Sequence, residues 1–551
     1  MVNLKFIALS GSTGVTENLY VYEYGDDLIM VDCGVGFPEP EMYGIDLVIP
    51  DFSYLRSNRK KLKAIFISHG HEDHLGALPF LLREFKVPVY GTKLTIGFIN
   101  DKLEDYKVFG AKLKVIDPEG PAVRAGNLSV TPFRIAHSVP DAVGFVIDTP
   151  VGKVFHVPDY KFDWTPVDGK PFDIARASML AAEGVLALAS DSLGSTTPGY
   201  TESEKTIEGE IENIVKKSHG KVFFTTVSSN ISRMQQAINV AVKYNRKVCF
   251  AGRSIERKAE IAKSLGYLNY KQNWIVSLNK LRRANSKQIM FIISGSYGQM
   301  GSTLYKVALG EHKKLSLSPQ DTVIFSADPA PPGSKQNVDY VVDRLIESGV
   351  DVHYYDIQEN LHVSGHGSQN DIRTLFGLVK PKYFIPIGGT IRHNRAYSEI
   401  AQGMGARKNQ VFELSPGEVL EFGHDGSARR GKSVSAREIL IDGLEVGGVD
   451  SIVLRDRKIL AEEGVVIVVI KFDTVKRQVL ESLEIISRGF VFEKAKREFL
   501  RVSAQKLVSF LNKKQIRDSH TLKAQTVNFL EMHFERATGR RPMILPAVIE
   551  L

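Results

Sequence analysis

Cysteine is almost missing from this chain: only Cys33 and Cys249 occur in 551 residues, far apart and in no CxxC pair. That argues against a disulfide framework or a thiolate metal site and suits a reducing compartment, here expected to be the cytoplasm. Long apolar runs are missing too. The purest covers only 465–470, and 177–189 is broken by Glu183, whereas a bilayer span needs about 20 residues. No signal peptide is expected, because strand-like sequence begins at Leu4. Nor is there a large excess of one charge: 71 basic against 63 acidic residues give a net +8, which favours a polyanionic partner only weakly. Repeats and low-complexity segments are not evident. The composition, 43% hydrophobic and 24% charged, is that of an ordinary globular protein, and the length allows about three domains.

What the chain does have is a dense polar knot, Ser68-His69-Gly70-His71-Glu72-Asp73-His74, directly after the apolar run Ala64-Ile65-Phe66-Ile67. An apolar run followed by glycine reads as a buried strand ending in a tight loop. Such a loop can turn several side chains toward one point, as neither a helix nor a strand interior does. Imidazole with carboxylate is the donor set of zinc and similar divalent ions. A surface loop rich in histidine by chance would not be this dense in donors, and Asp73 beside His74 suits a second ion. The stretch is read as a metal site, expected to be binuclear.

Around it, 4–9, 19–24 and 28–31 read as strands, the third running into Asp32, which either caps a turn or orients a ligand histidine. A helix is expected at 75–85, with Leu75, Leu78, Leu81, Leu82 and Phe85 on one face, and a strand at 87–90. Strand 128–135 leads to His137, and strand 154–157 to Asp159; taken alone, each is an unremarkable strand-end residue. Thr201 and Glu204 have capping-box spacing, predicting a helix from 201 to about 217.

The rhythm then changes. Strands at 221–227, 247–251, 288–293, 322–326 and 352–355 alternate with helices at 232–244, 255–265 and 338–347. That is the pattern of a parallel sheet with helices on its faces. A second α/β unit is thus inserted into the first, before Leu361-His362-Val363-Ser364-Gly365-His366. The tail carries a strand at 465–472 and then a basic stretch with Lys494, Lys496, Arg497, Arg501, Lys506, Lys513, Lys514 and Arg517. Those charges form a solvated helix face, an oligomer contact, or added affinity for a nucleic-acid backbone.

The order HxHxDH, strand-terminal His137, strand-terminal Asp159 resembles the metallo-β-lactamase superfamily. Interruption by an α/β domain and resumption at HVSGH resembles its β-CASP nucleases. Further runs narrow the resemblance to the ribonuclease J family: Asp-Leu-Val-Ile-Pro-Asp at 46–51, Asp-Ser at 191–192, Ser-Ser-Asn-Ile-Ser-Arg at 228–233, Gly-Ser at 295–296, Arg-Asp-Arg at 455–457, Arg-Gly-Phe-Val at 488–491, and the terminal Arg-Arg-Pro-Met-Ile-Leu-Pro-Ala. It covers almost the whole chain.

This resemblance implies a four-layer αββα sandwich formed by 1–201 and 361–430, a β-CASP insertion at 202–360, a linker at 431–450 and a small α/β C-terminal domain at 451–551. It implies that His69, His71 and His137 hold one metal, that Asp73 and His74 hold another, and that Asp159 bridges them. The two divalent ions would be zinc, with manganese or magnesium as alternatives. Ions of this kind acidify bound water for attack on phosphorus. His366 would protonate the leaving oxygen, with Asp191 orienting groups near the metals and Asp73 counted among the catalytic residues. His362, Val363, Ser364, Gly365 and His366 would cradle a phosphate, glycine permitting close backbone approach. Ser229, Asn230, Ile231 and Arg233 precede or open a predicted helix, and either meet phosphate or simply cap it.

The implied activity is a metal-dependent ribonuclease that degrades RNA 5′ to 3′ from a 5′-monophosphate end and also cuts internally, in rRNA processing and mRNA decay. RNA would thread between the two domains. A homodimer or homotetramer through the C-terminal domain and a place in an RNA degradation complex are implied as partners, with no membrane. One departure stands out: family members carry a further ligand histidine in an Ile-Pro-Val-His-Gly segment, where this chain reads Ile385-Pro386-Ile387-Gly388-Gly389. Glycine donates nothing, so the second ion is expected to be held more weakly, with water or His393 filling in. Pro158 also replaces a small glycine. The gap leaves room for an impaired RNA-binding or scaffolding partner. A small-molecule metallo-hydrolase is a third reading, disfavoured because a small substrate needs no polymer cleft.

Overall fold

Strand residues alternate between two faces, so a sheet with apolar residues on both must be covered on both. The computed structural model, which describes every residue except 1, 284–287, 329–332, 357–358, 444, 449–450, 481, 491–492, 515 and 517, meets this with stacked layers. It has two compact units, Met1–Phe37 with Leu47–Ile439, and Pro38–Asp46 with Leu440–Leu551.

In the larger unit, one eight-stranded sheet runs in the order Ala428–Arg430, Val419–Phe422, Leu4–Ser10, Leu19–Tyr24, Asp27–Val31, Leu62–Phe66, Pro88–Gly91, Lys112–Val115. A six-stranded sheet runs Tyr383–Ile387, Ala187–Asp191, Gly152–Val157, Val143–Thr149, Leu128–Arg134, Val123–Ala125. Their inner faces share one core, in which Phe6, Tyr22, Val31 and Phe66 meet Val130, Phe145, Val154 and Ile385. The outer face of the second sheet packs Phe133, Phe155 and Leu188 against Ile372, Phe376 and Tyr397, from the helices Gln369–Val379 and Ile391–Gly403. Helix Lys93–Asp105, burying Leu94, Phe98 and Ile99, packs on the strands Pro88–Gly91 and Lys112–Val115 of the first sheet. The result is the four-layer αββα sandwich.

The insertion is a separate five-stranded sheet in the order Lys247–Ala251, Ile289–Ile293, Val222–Thr225, Thr322–Phe325, Asp351–His353, parallel throughout. The smaller unit pairs Val465–Asp473 with Gln478–Val479, Glu484–Arg488 and, in parallel, Met543–Glu550. Helices Glu493–Asn512 and Ser519–Thr538 cover it through Leu507, Leu511, Leu522 and Phe534. Of the basic tail, Arg501, Lys506, Lys513 and Lys514 are exposed; Arg517 and the side chains of Lys494, Lys496 and Arg497 lie outside the described residues.

Three local expectations change. Thr201 and Glu204 do not form a capping box, and the helix runs only from Thr206 to Lys217. Both side chains are used elsewhere: Thr201 Oγ1 donates to the His366 carbonyl at 2.8 Å, and Glu204 Oε2 accepts from Arg233 at 2.6 Å. The helix expected at 75–85 is split into Glu72–Leu75 and Leu78–Glu84. The break is pinned by Cys33, whose N–H donates to the His74 carbonyl and whose own carbonyl accepts from Ala77. The stretch assigned to a linker contains the strands Glu438–Asp442 and Glu445–Val446, paired antiparallel.

Candidate metal centre

The topology gathers the site before any side chain is considered. Strands Gly152–Val157, Ala187–Asp191 and Tyr383–Ile387 are parallel neighbours with Val157 level with Ser190 and Asp191 level with Ile387. Asp159, Asp191 and Gly388 therefore emerge side by side at the carboxyl ends of the strands, where open α/β sheets place ligands. The HGHEDH loop leaves the strand Leu62–Phe66 at the same place. His137 arrives after the strand Leu128–Arg134.

Donor atoms of His69, His71 and His137 lie within 4.8 Å of one another, as do those of His69, His74 and Asp159, and those of Asp159, Asp191 and His366. Asp159 is the hub. Its Oδ2 lies 3.3 Å from His74 Nε2, 3.7 Å from both His69 Nε2 and His137 Nε2, and 3.9 Å from His366 Nε2. Asp73 Oδ2 is 3.4 Å from His74 Nε2.

Outer partners fix the rings. Asp32, held in the left-handed region at φ +61, accepts from the Ser68 N–H at 2.8 Å and from Ser68 Oγ at 2.9 Å. Its Oδ2 also accepts from His74 Nδ1 at 2.8 Å, which leaves Nε2 facing Asp73 and Asp159. Of the two readings of Asp32, the orienting one is what the geometry displays. His137 Nδ1 donates to the Gly365 carbonyl at 2.8 Å, and a Cβ on Gly365 would stand 2.5 Å from the same ring, so glycine is required. His366 Nδ1 lies 2.7 Å from Asp191 Oδ2. His71 has Ser229 Oγ at 2.6 Å from Nδ1 and Ser138 Oγ at 2.8 Å from Nε2. His69 Nε2 is buried and without a hydrogen-bond partner, aimed at the other donors.

Protonation divides the cluster. Burial pushes His71 down to about 3, helped by His137, and His137 down to about 4; burial, then His74, holds His69 well below the usual range. These are neutral imidazoles with lone pairs to give. Burial opposes charge on His74 as well, yet Asp159, Asp73 and Asp32 hold its pKa well above the ordinary value. His366 is likewise resisted by burial but raised to about 9 by Asp191 and Asp159. An orphaned buried nitrogen, neutral imidazoles and carboxylates that demand a cation together fit divalent metal ions.

The phosphate-cradle candidates separate. Ser229 stands against His71, and Ser364 is exposed, its Oγ accepting from the His366 N–H at 3.1 Å. His362 is partly buried beside Arg233 and Lys161, with burial pushing its pKa down to about 3. Val363 is buried and Gly365 serves His137. Asn230 caps the helix Ile231–Lys243, its Oδ1 accepting from the Arg233 N–H at 2.9 Å, and Ile231 is core. Arg233 does not face open space: it is buried, donating to Glu204 Oε2 and to the Ser326 carbonyl. Gly388 sits at φ +67, and a Cβ there would be 3.5 Å from Asp191 Oδ1 and 3.9 Å from Asp159 Oδ1. A side chain at 388 would thus enter the cluster, and glycine leaves that edge without a donor. His393 does not fill it; its Nδ1 lies 3.2 Å from the Thr390 N–H, closing a capping box.

Asn18 was not foreseen. Its amide nitrogen lies 3.2 Å from His74 Nε2, and Tyr20 donates to its Oδ1 at 2.8 Å. No spacing signal links Asn18 to a loop more than 50 residues away. Ser68 and Ser138 were visible only as neighbours of histidines.

Fold and donor set define a hydrolase of metallo-β-lactamase type with an inserted domain. Family models match at four places: "Metallo-beta-lactamase superfamily" at 12–206, "Ribonuclease J, beta-CASP domain" at 219–345, "Zn-dependent metallo-hydrolase RNA specificity domain" at 349–411 and "Ribonuclease J C-terminal domain" at 452–551. Ribonuclease J2 of Bacillus subtilis is 37% identical over 554 residues, 100% of this chain and 99% of that one. Ribonuclease J 1 of Streptococcus pyogenes is 36% identical, covering 98% and 97%; Ribonuclease J of Thermus thermophilus is 36% identical, covering 100% and 95%. The chain belongs to the ribonuclease J family. A crystal structure of a protein of unknown function from Enterococcus faecalis, 15% identical, superposes with a TM-score of 0.53 over 76% of this chain and 100% of that one, and shares the fold.

Proposed function

We propose that the chain is a metal-dependent ribonuclease that removes nucleotides 5′ to 3′ from 5′-monophosphate RNA, also cuts internally, and serves RNA maturation and decay in the cytoplasm. The observation that carries this is Asp159 Oδ2 within 4 Å of four histidines drawn from three separate stretches of sequence. His69, His71 and His137 would hold one divalent ion, and Asp73 and His74 a second, with Asp159 shared; zinc suits this nitrogen-rich set best. Two such ions would supply an acidified water and Lewis acidity toward phosphate oxygens.

The chain's own residues do the rest. With Nδ1 committed to Asp191, His366 keeps a proton on Nε2 for the departing 3′-oxygen. Asp191, also accepting from the Leu193 N–H at 2.8 Å, keeps that ring in place. Ser229 and Ser364, with His362, are the polar groups left to receive phosphate. Assembly as a homodimer or homotetramer through the C-terminal unit, and entry into a degradation complex, belong to the same proposal. Among the described residues, no helix is long and apolar enough to cross a membrane.

The test compares 5′-monophosphate and 5′-triphosphate RNA, labelled at the 5′ end, with His71→Ala as control. Release of labelled mononucleotide from the monophosphate substrate alone supports the reading. Intact RNA with wild type in zinc or manganese rejects it. The bare edge at Gly388 favours one second reading, an RNA-binding partner with a weakened centre, which would retain RNA without shortening it.

A further inference from the structure

We propose that Glu72, inside the metal loop, is a positioning residue gripped by Lys258 of the inserted domain, so that docking of that domain sets how the loop presents its metal ligands. The inference rests on reading the cluster as a metal centre. Glu72 stands between His71 and Asp73 but belongs to none of the donor groups. Its Oε2 accepts from Lys102 Nζ at 2.7 Å, and its Oε1 lies 3.6 Å from Lys258 Nζ. Lys102 comes from the sandwich helix Lys93–Asp105, Lys258 from the insertion helix Arg253–Leu265.

The contact is built in depth. Lys258 is buried, with Nζ 4.1 Å from the centroid of the Phe98 ring. That ring in turn lies against the loop: a Cβ on Gly70 would be 2.6 Å from Phe98 Cδ2. Arg257 Nε pairs with Asp101 at 2.6 Å, and Gly97 lets Ile261 and Leu265 approach to 2.9 Å of its Cβ position. Ammonium, ring and loop backbone thus form one stack, and a buried ammonium needs its carboxylate. Ser229 touches His71 from the same domain, so the insertion holds the loop at two adjacent residues, His71 and Glu72.

A bridge that served stability alone would leave metal affinity unchanged. Metal-depleted full-length protein is therefore titrated with zinc chloride against a chromophoric chelator, and melted without zinc. The variants are Lys258→Gln, Glu72→Gln, the double variant and Lys258→Arg. Loss of an outer partner costs about 10- to 100-fold in metal affinity, and each single glutamine variant should show a loss of that size. The double variant should be no worse than the weaker single, and Lys258→Arg should stay close to wild type. Wild-type zinc affinity in either single variant, or losses that multiply in the double, overturns the proposal. If Lys258→Gln fails to fold, Glu72→Gln, which keeps both lysines and the shape of the side chain, decides alone. Wild type that takes up no zinc rejects the metal-centre reading itself, a result distinct from retained affinity in the variants.

Discussion

At one end of the cluster, burial holds His69, His71 and His137 below the ordinary imidazole range; at the other, carboxylates raise fully buried His74 and partly exposed His366 above it. His69 and His74 mark the divide, with ring centroids only 4.1 Å apart. Desolvation opposes charge on all five rings, so the difference comes from how closely carboxylates pair with each. Asp32 and Asp73 stand against His74 and Asp191 against His366, while Asp159 faces both ends and comes nearest to His74. On the proposed reading, the first end gives lone pairs to a cation; at the second, His74 would release a proton on sharing an ion with Asp73 and Asp159, and His366 would carry the proton for the leaving oxygen. Gly388 lies at the second end and adds no donor.

The largest effect is expected from removing Asp159, which faces both ends. Asp159→Asn should lower RNA cleavage about a thousandfold or more and reduce bound metal, checked by turnover of labelled RNA and by metal counting. His366→Ala acts on the second end only: kcat should fall about 10²- to 10⁴-fold, with the tightest zinc affinity unchanged in titration. Asp32→Asn keeps the shape but loses the acceptor for His74, and zinc affinity should drop about 10- to 100-fold.

His156 is suppressed in the same way, burial first and then the His74 charge pushing it down to about 3. It lies in the core with Tyr22 Oη 2.9 Å from Nδ1. Its folded pKa is below the unfolded value of about 6.5, so the unfolded state binds the extra proton and stability falls as pH falls. The metal-free protein should lose roughly 2 kcal/mol from this group between pH 7 and 5, read as a lower urea midpoint, and His156→Phe should flatten that limb. The smallest effect belongs to Gly388→His, which should tighten the weaker ion in a zinc titration. The left-handed backbone there should make the variant about 1 kcal/mol less stable.

How much of this was legible in sequence follows from distance along the chain. The HGHEDH loop declared itself because its donors are adjacent. His137 and Asp159 are unremarkable alone and acquired meaning only from their order, since parallel strands that end together are not visible in any window. The alternation of strands and helices in the insertion was read directly, because apolar period and glycine stops are local signals. Thr201 and Glu204 misled for the opposite reason: a local capping pattern lost to a buried ion pair with Arg233 and a carbonyl in the HVSGH loop. Arg233 itself looked like a phosphate ligand because sequence does not reveal that a guanidinium is buried. Asn18 left no trace at all, since its partner His74 lies on a different strand's exit.

The most direct measurement is an anomalous difference map at the zinc edge from crystals of the wild-type protein grown with zinc. Two peaks are expected beside Asp159, the one among His69, His71 and His137 the fuller and the one toward Gly388 the emptier. A map with no peak among these residues would contradict the metal-centre reading.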